Sequence, residues 1–412
     1  MKYGCIGEHL KHSFSKEIHA QIGDYEYEIR EIPRDGLDEF MSRADFLGIN
    51  VTIPYKELVI PHLYYIHPDA LCIGAVNTVV NRDGRLYGYN TDFYGMTRLI
   101  SHAGADVSKK KVVILGTGGT SKTAAAVAKH LGAREIIRVS RSAREDAVDY
   151  DALYSLHTDA EVIINTTPVG MYPNNYSSPV DISRFPTLTA VIDAVYNPLS
   201  TPLIAAARER GIIAEGGLYM LVAQAVRASE IFLDVEYEDT LLDSVYDRIY
   251  KSKENVVLIG MPSSGKSTVG RYIADLLGRE LIDTDDEVVN IAGCSIPEIF
   301  KEHGEGRFRD YECEAVLEVA KRSSTVIATG GGAILREENV KALRQNGRIY
   351  FIDRPVDLLI PTSDRPLSTD RAAIEKRYAE RYPIYSDVCD KKIDGSGDVP
   401  TVAEKILEDF RK

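Results

Sequence analysis

Residues 260–267 have the sequence Gly-Met-Pro-Ser-Ser-Gly-Lys-Ser, which satisfies the GxxxxGK[ST] pattern between an apolar strand and a predicted helix. In such a loop, backbone N–H groups cradle phosphates, the lysine reaches the outer phosphates and the last hydroxyl binds Mg²⁺. The pattern therefore predicts a nucleoside triphosphate site without identifying the phosphoryl acceptor. The predicted contacts are Gly260, Pro262, Ser263, Ser264, Gly265, Lys266, Ser267 and Thr268.

A second glycine loop lies at 116–120, after a buried strand and before an Ala-rich helix. Glycines at this place let the backbone approach a pyrophosphate at the helix N-terminus, but an ordinary strand–helix turn is an alternative. The following strand ends in Ser140-Arg141-Ser142, where an NAD-selective site usually has Asp or Glu. Arg141 with its flanking hydroxyls suits a 2′-phosphate and favours NADP, unless it is only a solvated surface charge. The predicted loop contacts are Gly116, Thr117, Gly118, Gly119 and Thr120.

Charged residues that follow the 260–267 loop in the sequence could act on the phosphoryl acceptor. Asp283 and Asp285 stand two apart in the predicted strand 280–285, and alternation along a strand predicts that both point to one face. Each residue has a simpler interpretation when taken alone. The two aspartates could cap a helix, and Arg309 could form a surface ion pair.

The elements that position these residues alternate between short apolar strands and helices, which predicts an α/β fold. Residues 1–100 are predicted to form one α/β domain, and the segment 101–224 a parallel-sheet Rossmann domain. A helix over about 225–248 is expected to return to the first domain. A new α/β unit with a parallel sheet flanked by helices is predicted over 249–412, and the boundary lies in the charged segment 234–254.

Composition limits the classes of partner. A formal net charge of −13 over 412 residues argues against nucleic acid and anionic membrane surfaces. The five cysteines form no CxxC pair, and neither a signal peptide nor a long apolar span is evident. We expect a cytoplasmic protein that acts on small molecules. Its oligomeric state stays open, with a homodimer as one alternative.

The first 225 residues resemble the shikimate dehydrogenase family. Seven blocks carry the likeness in order: 7–19, 50–57 (NVTIPYKE), 74–78, 90–95 (NTDFYG), 164–171, 193–198 and 216–225. The resemblance implies reduction of 3-dehydroshikimate by NADPH, with Lys56 as the proton donor and Asp92 as the residue that orients it. It also implies substrate contacts from Ser13, Ser15, Thr52, Asn77, Tyr196 and Gln224, and cofactor contacts from Val195 and Gly217.

Nearly all of residues 255–395 resemble the shikimate kinase family through the blocks 281–285, 304–312, 329–332, 364–367 and 381–385. The resemblance implies ATP as the donor, Asp285 as the group that holds the attacking hydroxyl, and Asp283 with Ser267 as the Mg²⁺ site. Arg309 and Arg381 would bind the substrate carboxylate. The remaining implied contacts are Gly331 and Gly332 on the substrate and Arg365 on the transferring phosphoryl group.

Together the two resemblances imply a fusion of two consecutive enzymes that share shikimate. Two alternatives stay open. Quinate with NAD could replace shikimate with NADP in the first half, because both acids are rich in hydroxyls. The second half could instead be a regulatory module that binds a nucleotide.

Overall fold

The computed structural model describes residues 1–8, 10, 14–360 and 371–411. The chain forms two compact units, Met1–Ile249 and Tyr250–Lys412. Each is built from β-strands that alternate with helices, so the predicted α/β class is confirmed. Among the residues described, no helix combines the length and apolar character needed to cross a membrane.

A mixed six-stranded sheet begins the first unit, in the strand order β2-β1-β3-β5-β6-β4. Strand β1 is parallel to β2 and β3, whereas β5 is antiparallel to both β3 and β6. Its core includes Ile6, Ile49 and Val79, none of which is exposed. The elements are β1 (Tyr3–Gly7), α1 (Ser15–Ile22), β2 (Tyr27–Glu31), α2 (Leu37–Arg43), β3 (Gly48–Val51), β4 (Tyr65–Ile66), α3 (Pro68–Ile73), β5 (Thr78–Arg82), β6 (Arg85–Tyr89) and α4 (Thr91–His102).

A second sheet in the same unit is entirely parallel, in the order β11-β10-β9-β7-β8. Strands β7, β9 and β10 are buried along their whole length, as expected of a parallel sheet covered on both faces. The elements are β7 (Lys111–Leu115), α5 (Gly119–His130), β8 (Glu135–Val139), α6 (Tyr150–Leu156), β9 (Val162–Asn165), β10 (Ala190–Asp193), α7 (Pro202–Glu209), β11 (Ile213–Glu215), α8 (Leu218–Leu233) and α9 (Asp239–Lys253).

The predicted helix over about 225–248 is wrong in its bounds, because it is two helices. Asp234 ends α8 in the left-handed conformation with φ of 57°, and α9 begins five residues later. Helix α8 packs on α4 and on the first sheet. A Cβ on Gly48 of β3 would lie 2.8 Å from Phe232 Cγ, so glycine is needed for this contact.

The second unit has a parallel five-stranded sheet in the order β13-β14-β12-β15-β16. Its central strand β12 is fully buried and leads directly into the 260–267 loop. The elements are β12 (Asn255–Ile259), α10 (Lys266–Leu277), β13 (Glu280–Asp283), α11 (Thr284–Ala292), α12 (Ile296–Val319), β14 (Thr325–Ala328), α13 (Glu337–Asn346), β15 (Gly347–Asp353), α14 (Arg371–Val388), β16 (Lys391–Asp394) and α15 (Val399–Phe410).

The predicted strand 280–285 is also wrong in its extent. Strand β13 ends at Asp283, and Asp285 belongs to the first turn of α11. Asp283 caps that helix, because its Oδ1 accepts the backbone N–H of Asp285 at 3.0 Å. Strand alternation therefore cannot be the reason that the two carboxylates share a site.

Candidate active sites

A cavity of about 100 Å³ lies in the first unit, where β1 and β3 end and α4 begins. Strand β3 ends at Val51, and the chain turns there so that Thr52 and Lys56 face the cavity. Ser15 enters from the start of α1 and Gln224 from α8. The described lining is Cys5, Ser15, His19, Asn50, Val51, Thr52, Lys56, Asn77, Thr91, Leu221, Gln224 and Ala225.

Lys56 and Asp92 form an ion pair at the edge of this cavity. Lys56 Nζ donates to Asp92 Oδ2 at 2.6 Å, and Asn77 Nδ2 donates to the other carboxylate oxygen at 2.9 Å. The lysine side chain is 25% exposed and the aspartate only 9%, so the ammonium faces the cavity and the carboxylate lies behind it. This arrangement presents a proton donor whose position is fixed by a buried anion.

The orientation of Asn77 is determined by its neighbours. Its Oδ1 accepts the backbone N–H of Thr91 at 2.8 Å and the hydroxyl of Thr78 at 3.1 Å, so its Nδ2 must point to Asp92. Thr78 Oγ1 in turn accepts Asn50 Nδ2 at 3.1 Å, and Asn50 Oδ1 accepts the Tyr27 hydroxyl at 2.6 Å. Sequence reasoning missed this buried chain, although Asn50 and Thr78 both stand in the quoted blocks.

His19 and Cys5 form the buried wall of the cavity. The His19 ring stacks on Tyr27 with centroids 3.8 Å apart, and its Nδ1 lies 2.5 Å from the Tyr25 hydroxyl. Burial lowers the pKa of His19 to about 3, although a hydrogen bond with Asn50 opposes this change. Burial raises the pKa of the Cys5 thiol to about 12, although the nearby charge of Lys56 opposes this increase. At neutral pH both groups are therefore uncharged.

Tyr196 is a predicted substrate residue that lies apart from this lining. Tyr196 lies beside Phe14, with ring centroids 5.4 Å apart, and is not among the described residues that line the cavity. Burial raises the pKa of its hydroxyl. Ser13 lies outside the described residues.

Close contacts at Gly116 and the start of α5 fix the two ends of the glycine loop at 116–120. Gly116 has φ of +112°, and a Cβ there would lie 2.7 Å from Thr166 Oγ1, so both backbone conformation and space require glycine. Ser121 Oγ donates to Gly116 O at 2.6 Å. Gly118 caps α5, whose N-terminal N–H groups follow the loop, as an anion site requires.

Arg138 on β8 connects this loop to the predicted 2′-phosphate segment. Its Nε and Nη2 donate to Ser121 Oγ and Thr117 O, both at 3.2 Å, and its Nη1 pairs with Asp146. Sequence reasoning missed Arg138. Its position, one residue before the buried end of β8 at Val139, was the available signal.

The segment after β8 presents an exposed cation. Arg141 and Ser142 are exposed, and the Ser140 hydroxyl donates to the Ser142 carbonyl. Arg141 is therefore open to a phosphate, but this geometry also fits a solvated charge.

The chain after β10 forms a further part of the loop region. A Cβ on Gly217 would lie 2.6 Å from the Ala194 carbonyl carbon, and the Gly217 N–H donates to Val195 O at 2.8 Å. Asp193 before them accepts hydrogen bonds from Val195, Thr201 and Asn165. Burial nevertheless raises its pKa to about 6.

The 260–267 loop of the second unit encloses the side chain of its own lysine. Lys266 Nζ donates to the carbonyls of Gly260 and Met261 at 3.0 and 2.9 Å, so the ammonium lies inside the loop. Ser267 Oγ donates to Asp283 Oδ2 at 2.6 Å.

A hydroxyl and a carboxylate side by side are the hard oxygen ligands that Mg²⁺ prefers. The described residues contain no group of three or more His, Cys, Asp or Glu side chains that could hold a metal ion alone. Mg²⁺ usually keeps waters and substrate phosphates among its ligands, so a few protein oxygens suffice to hold it. Ser267 and Asp283 therefore fit a magnesium site.

A cleft of about 400 Å³ adjoins the loop. Acidic side chains reach it from the start of α11, and arginines reach it from α12 and α14. Helix α12 breaks at Gly304, where φ is +77°, and Arg309 lies just beyond the break. The lining is Pro262, Asp283, Asp285, Asp286, Val289, Ser295, Ile296, Pro297, Phe300, Phe308, Arg309, Glu312, Gly331, Gly332, Arg377 and Arg381.

Arg309 is fixed by two carboxylates. Its Nη1 donates to Glu312 at 2.6 Å and its Nη2 to Glu305 at 3.0 Å. Burial raises the pKa of Glu312, and the charge and hydrogen bond of Arg309 oppose that change. A Cβ on Gly332 would overlap the Arg309 guanidinium, so this glycine makes room for the arginine.

The carbonyl of Gly331 joins α14 to the loop after β14. Arg381 Nη1 donates to it at 2.9 Å and the Tyr385 hydroxyl at 2.5 Å, and the same hydroxyl reaches Gly260 O at 3.0 Å. Sequence reasoning named Arg381 but gave no role to Tyr385. Arg365 lies outside the described residues.

Comparison with known proteins separates the two units. The family model "Shikimate dehydrogenase substrate binding domain" matches residues 5–79, and the model "Shikimate kinase" matches residues 262–411. A shikimate dehydrogenase (NADP(+)) from Clostridium perfringens (strain SM101 / Type A) is 34% identical over 265 residues. That match covers 60% of this chain and 97% of the relative.

Solved structures resemble the same 60% of the chain. Shikimate dehydrogenase 1 from Peptoclostridium difficile is 37% identical over 98% of its length, with a TM-score of 0.55. A chorismate mutase/shikimate 5-dehydrogenase fusion protein from Clostridium acetobutylicum is 36% identical over 96%, with a TM-score of 0.57. The shikimate 5-dehydrogenase from Thermus thermophilus, in complex with NADP(H) and shikimate, is 27% identical over 99%, with a TM-score of 0.55.

Proposed function

We propose that this chain catalyses two reactions in succession. It belongs to the shikimate dehydrogenase family, and a shikimate kinase domain follows the dehydrogenase part in the sequence. NADPH reduces 3-dehydroshikimate to shikimate in the first unit. MgATP then phosphorylates the 3-hydroxyl of shikimate in the second. The observation that carries the proposal is that each unit combines a cofactor loop with a separate cavity that presents charges suited to this acid.

In the first unit, Lys56 delivers the proton. Bound NADPH supplies a hydride to the carbonyl carbon, and the oxygen that becomes a hydroxyl needs a proton at the same time. Lys56 Nζ faces the cavity and donates that proton. Asp92 holds the ammonium 2.6 Å away and stabilises it before transfer.

The remaining cavity side chains orient the substrate. Ser15 provides a hydroxyl for the carboxylate, with Ser13 as its proposed partner. Thr52, Asn77 and Gln224 provide polar groups for the ring hydroxyls. A substrate that leaves these polar groups unpaired binds more weakly, and this difference in affinity selects one hydroxy acid over another. We keep Tyr196 as a proposed contact of the substrate.

In the first unit, the loop at 116–120 and Arg141 are the proposed NADP contacts. The start of α5 would hold the pyrophosphate, and Arg141 with Ser140 and Ser142 would hold the 2′-phosphate. Val195 and Gly217 would line the nicotinamide side.

Steady-state rates with shikimate or quinate, each with NADP⁺ or NAD⁺, test which acid and which cofactor the first unit prefers. Faster turnover of quinate with NAD⁺ would replace this assignment with the alternative.

In the second unit, Asp285 orients the acceptor hydroxyl and takes its proton. Lys266 neutralises the outer phosphates of ATP, and Ser267 and Asp283 hold Mg²⁺. Arg309 and Arg381 bind the carboxylate of the acid, and Gly331 and Gly332 let it approach the loop closely. Arg365 is the proposed cation on the transferring phosphoryl group.

An end-product assay tests the whole proposal. The chain is given 3-dehydroshikimate, NADPH and MgATP, and shikimate 3-phosphate is sought by mass. Lys56→Ala should abolish NADPH oxidation and leave phosphorylation of added shikimate intact, whereas Lys266→Ala should do the reverse. Normal phosphorylation by Lys266→Ala would favour the alternative in which the second unit only binds a regulatory nucleotide.

A further inference from the structure

Arg377 is a third arginine in the acceptor cleft of the second unit, besides Arg309 and Arg381. It lies one helical turn before Arg381 on α14, and Tyr385 lies one turn after it. Residues four apart share one face of a helix. Arg381 and Tyr385 both donate to the Gly331 carbonyl, so the face that carries Arg377 is turned toward the cleft.

The charges around Arg377 favour an anion at this end of the cleft. Burial lowers the pKa of the Arg377 guanidinium, Arg381 and then Arg309 lower it further, and Glu305 and Glu380 oppose the change. Arg309 already pairs with Glu305 and Glu312. Three crowded guanidinium groups are stabilised when an acceptor brings its own negative charge.

We propose that Arg377 is a specificity-determining residue that recognises the carboxylate of the acceptor together with Arg309 and Arg381. This inference rests on the proposed kinase function of the second unit. The planar guanidinium suits a carboxylate, because it offers paired N–H donors. Arg377 selects cyclic polyols that carry a carboxylate over neutral polyols of the same shape.

The test compares shikimate with its methyl ester, which keeps the 3-hydroxyl and lacks the charge. In Arg377→Met the KM for shikimate should rise about tenfold, the size expected for losing one charge-assisted hydrogen bond. The KM for the ester should stay within about twofold of wild type, as should kcat and the KM for ATP. The KM of Arg377→Lys for shikimate should lie between those of the wild type and Arg377→Met, because lysine keeps the charge but lacks the planar, paired N–H donors of arginine.

Lys376→Met is the matched control, since Lys376 is the exposed neighbour of Arg377 and does not line the cleft. It should behave as wild type. An equal rise in KM for the acid and the ester would show that Arg377 only shapes the cleft, and would overturn the proposal. So would an unchanged KM for shikimate in both Arg377 variants. A wild-type chain that never phosphorylates shikimate would overturn the proposed function itself, a result that is distinct from both.

Discussion

At the scale of single residues, the amide of Asn77 decides how Asp92, the proposed catalytic carboxylate of the first unit, is held. Asn77 donates to Asp92 because Thr91 and Thr78 occupy its carbonyl oxygen. The quoted blocks predicted Lys56, Asp92 and Asn77 from the sequence, but no spacing rule shows which end of an amide faces a partner. That information exists only once β5 and α4 are next to each other.

Removing the Thr78 hydroxyl tests this arrangement. Thr78→Val deletes the bond to Asn77 and takes the same hydroxyl away from the Asn50 amide, so the amide that holds Asp92 is less firmly oriented. We expect dehydrogenase kcat to fall about 10- to 100-fold, because small misplacement at a reacting centre is costly. Thr78→Ser keeps both bonds and should keep the rate. Kinase activity of the same chain is the internal control, and an unimpaired Thr78→Val dehydrogenase would contradict the prediction.

His19 gives the first unit a pH-dependent stability. The folded-state pKa of about 3 lies below the ordinary value of 6.5, so the folded state binds fewer protons in this range. The stabilisation is complete above about pH 6.5 and is lost as the pH falls toward 3. Between pH 7 and pH 5, the free energy of unfolding should drop by about 2 kcal/mol from this group.

The measurement is urea unfolding at both pH values, following the transition that added NADP⁺ shifts upward. His19→Phe keeps a ring against Tyr27 but cannot titrate, and its loss of stability over the same interval should be smaller by about 2 kcal/mol. An identical loss in both proteins would show that His19 is not the group responsible.

At the scale of elements, the loop after β14 and the 260–267 loop fit against each other without spare space. A Cβ on Gly331 would lie 2.7 Å from Pro262 Cδ and 3.1 Å from Pro262 N. The sequence marked both segments as glycine-rich, but their contact depends on β12 and β14 being neighbours in the sheet. Pairing between strands so far apart in sequence is not visible in local patterns.

Gly331→Ala should therefore push the nucleotide loop away. We expect kcat/KM of the kinase to fall about 100-fold, because the phosphate-binding N–H groups and the acceptor site move together. Gly306→Ala is the control, since a Cβ at Gly306 meets nothing within 4 Å. It should leave kinase rates unchanged and raise stability slightly. Equal kinase rates in the two variants would contradict the steric argument.

The two errors in predicted elements have local causes. Residues 218–234 by themselves are typical of one amphipathic helix, but the predicted span of about 225–248 ran past Asp234, because the left-handed conformation of one residue is not visible in the sequence. The run at 280–285 ends in polar residues that suit both a strand end and a helix start, and the capping bond of Asp283 decides between them. Helix capping was the simpler interpretation of the two aspartates. Capping is compatible with a binding role, because both aspartates also line the cleft.

At the scale of the whole molecule, the two cofactor loops belong to separate compact units. Sequence motifs identified both units and their order, because each loop follows a buried parallel strand. Net charge was a poorer guide to substrate. A chain of charge −13 still gathers three arginines in one cleft, since local packing decides where cations lie.

Separate sites predict that two inactive chains can complement each other. Lys56→Ala and Lys266→Ala should each fail alone to convert 3-dehydroshikimate to shikimate 3-phosphate. An equimolar mixture should form it after a lag, during which shikimate accumulates in solution. The time course by mass spectrometry measures that lag, and wild type without a lag at the same site concentration would indicate direct transfer. A mixture that never forms product would contradict independent sites.

Asp283 has a consequence for how the binding of one ligand affects the binding of the other. One of its oxygens accepts the Ser267 hydroxyl of the nucleotide loop, and the other caps the helix that begins with Thr284 and Asp285. A cation bound at the first oxygen would alter the orientation of the second, and with it the position of Asp285. Nucleotide and acceptor are thus thermodynamically linked through one carboxylate. By reciprocity, each would change the affinity for the other by the same factor.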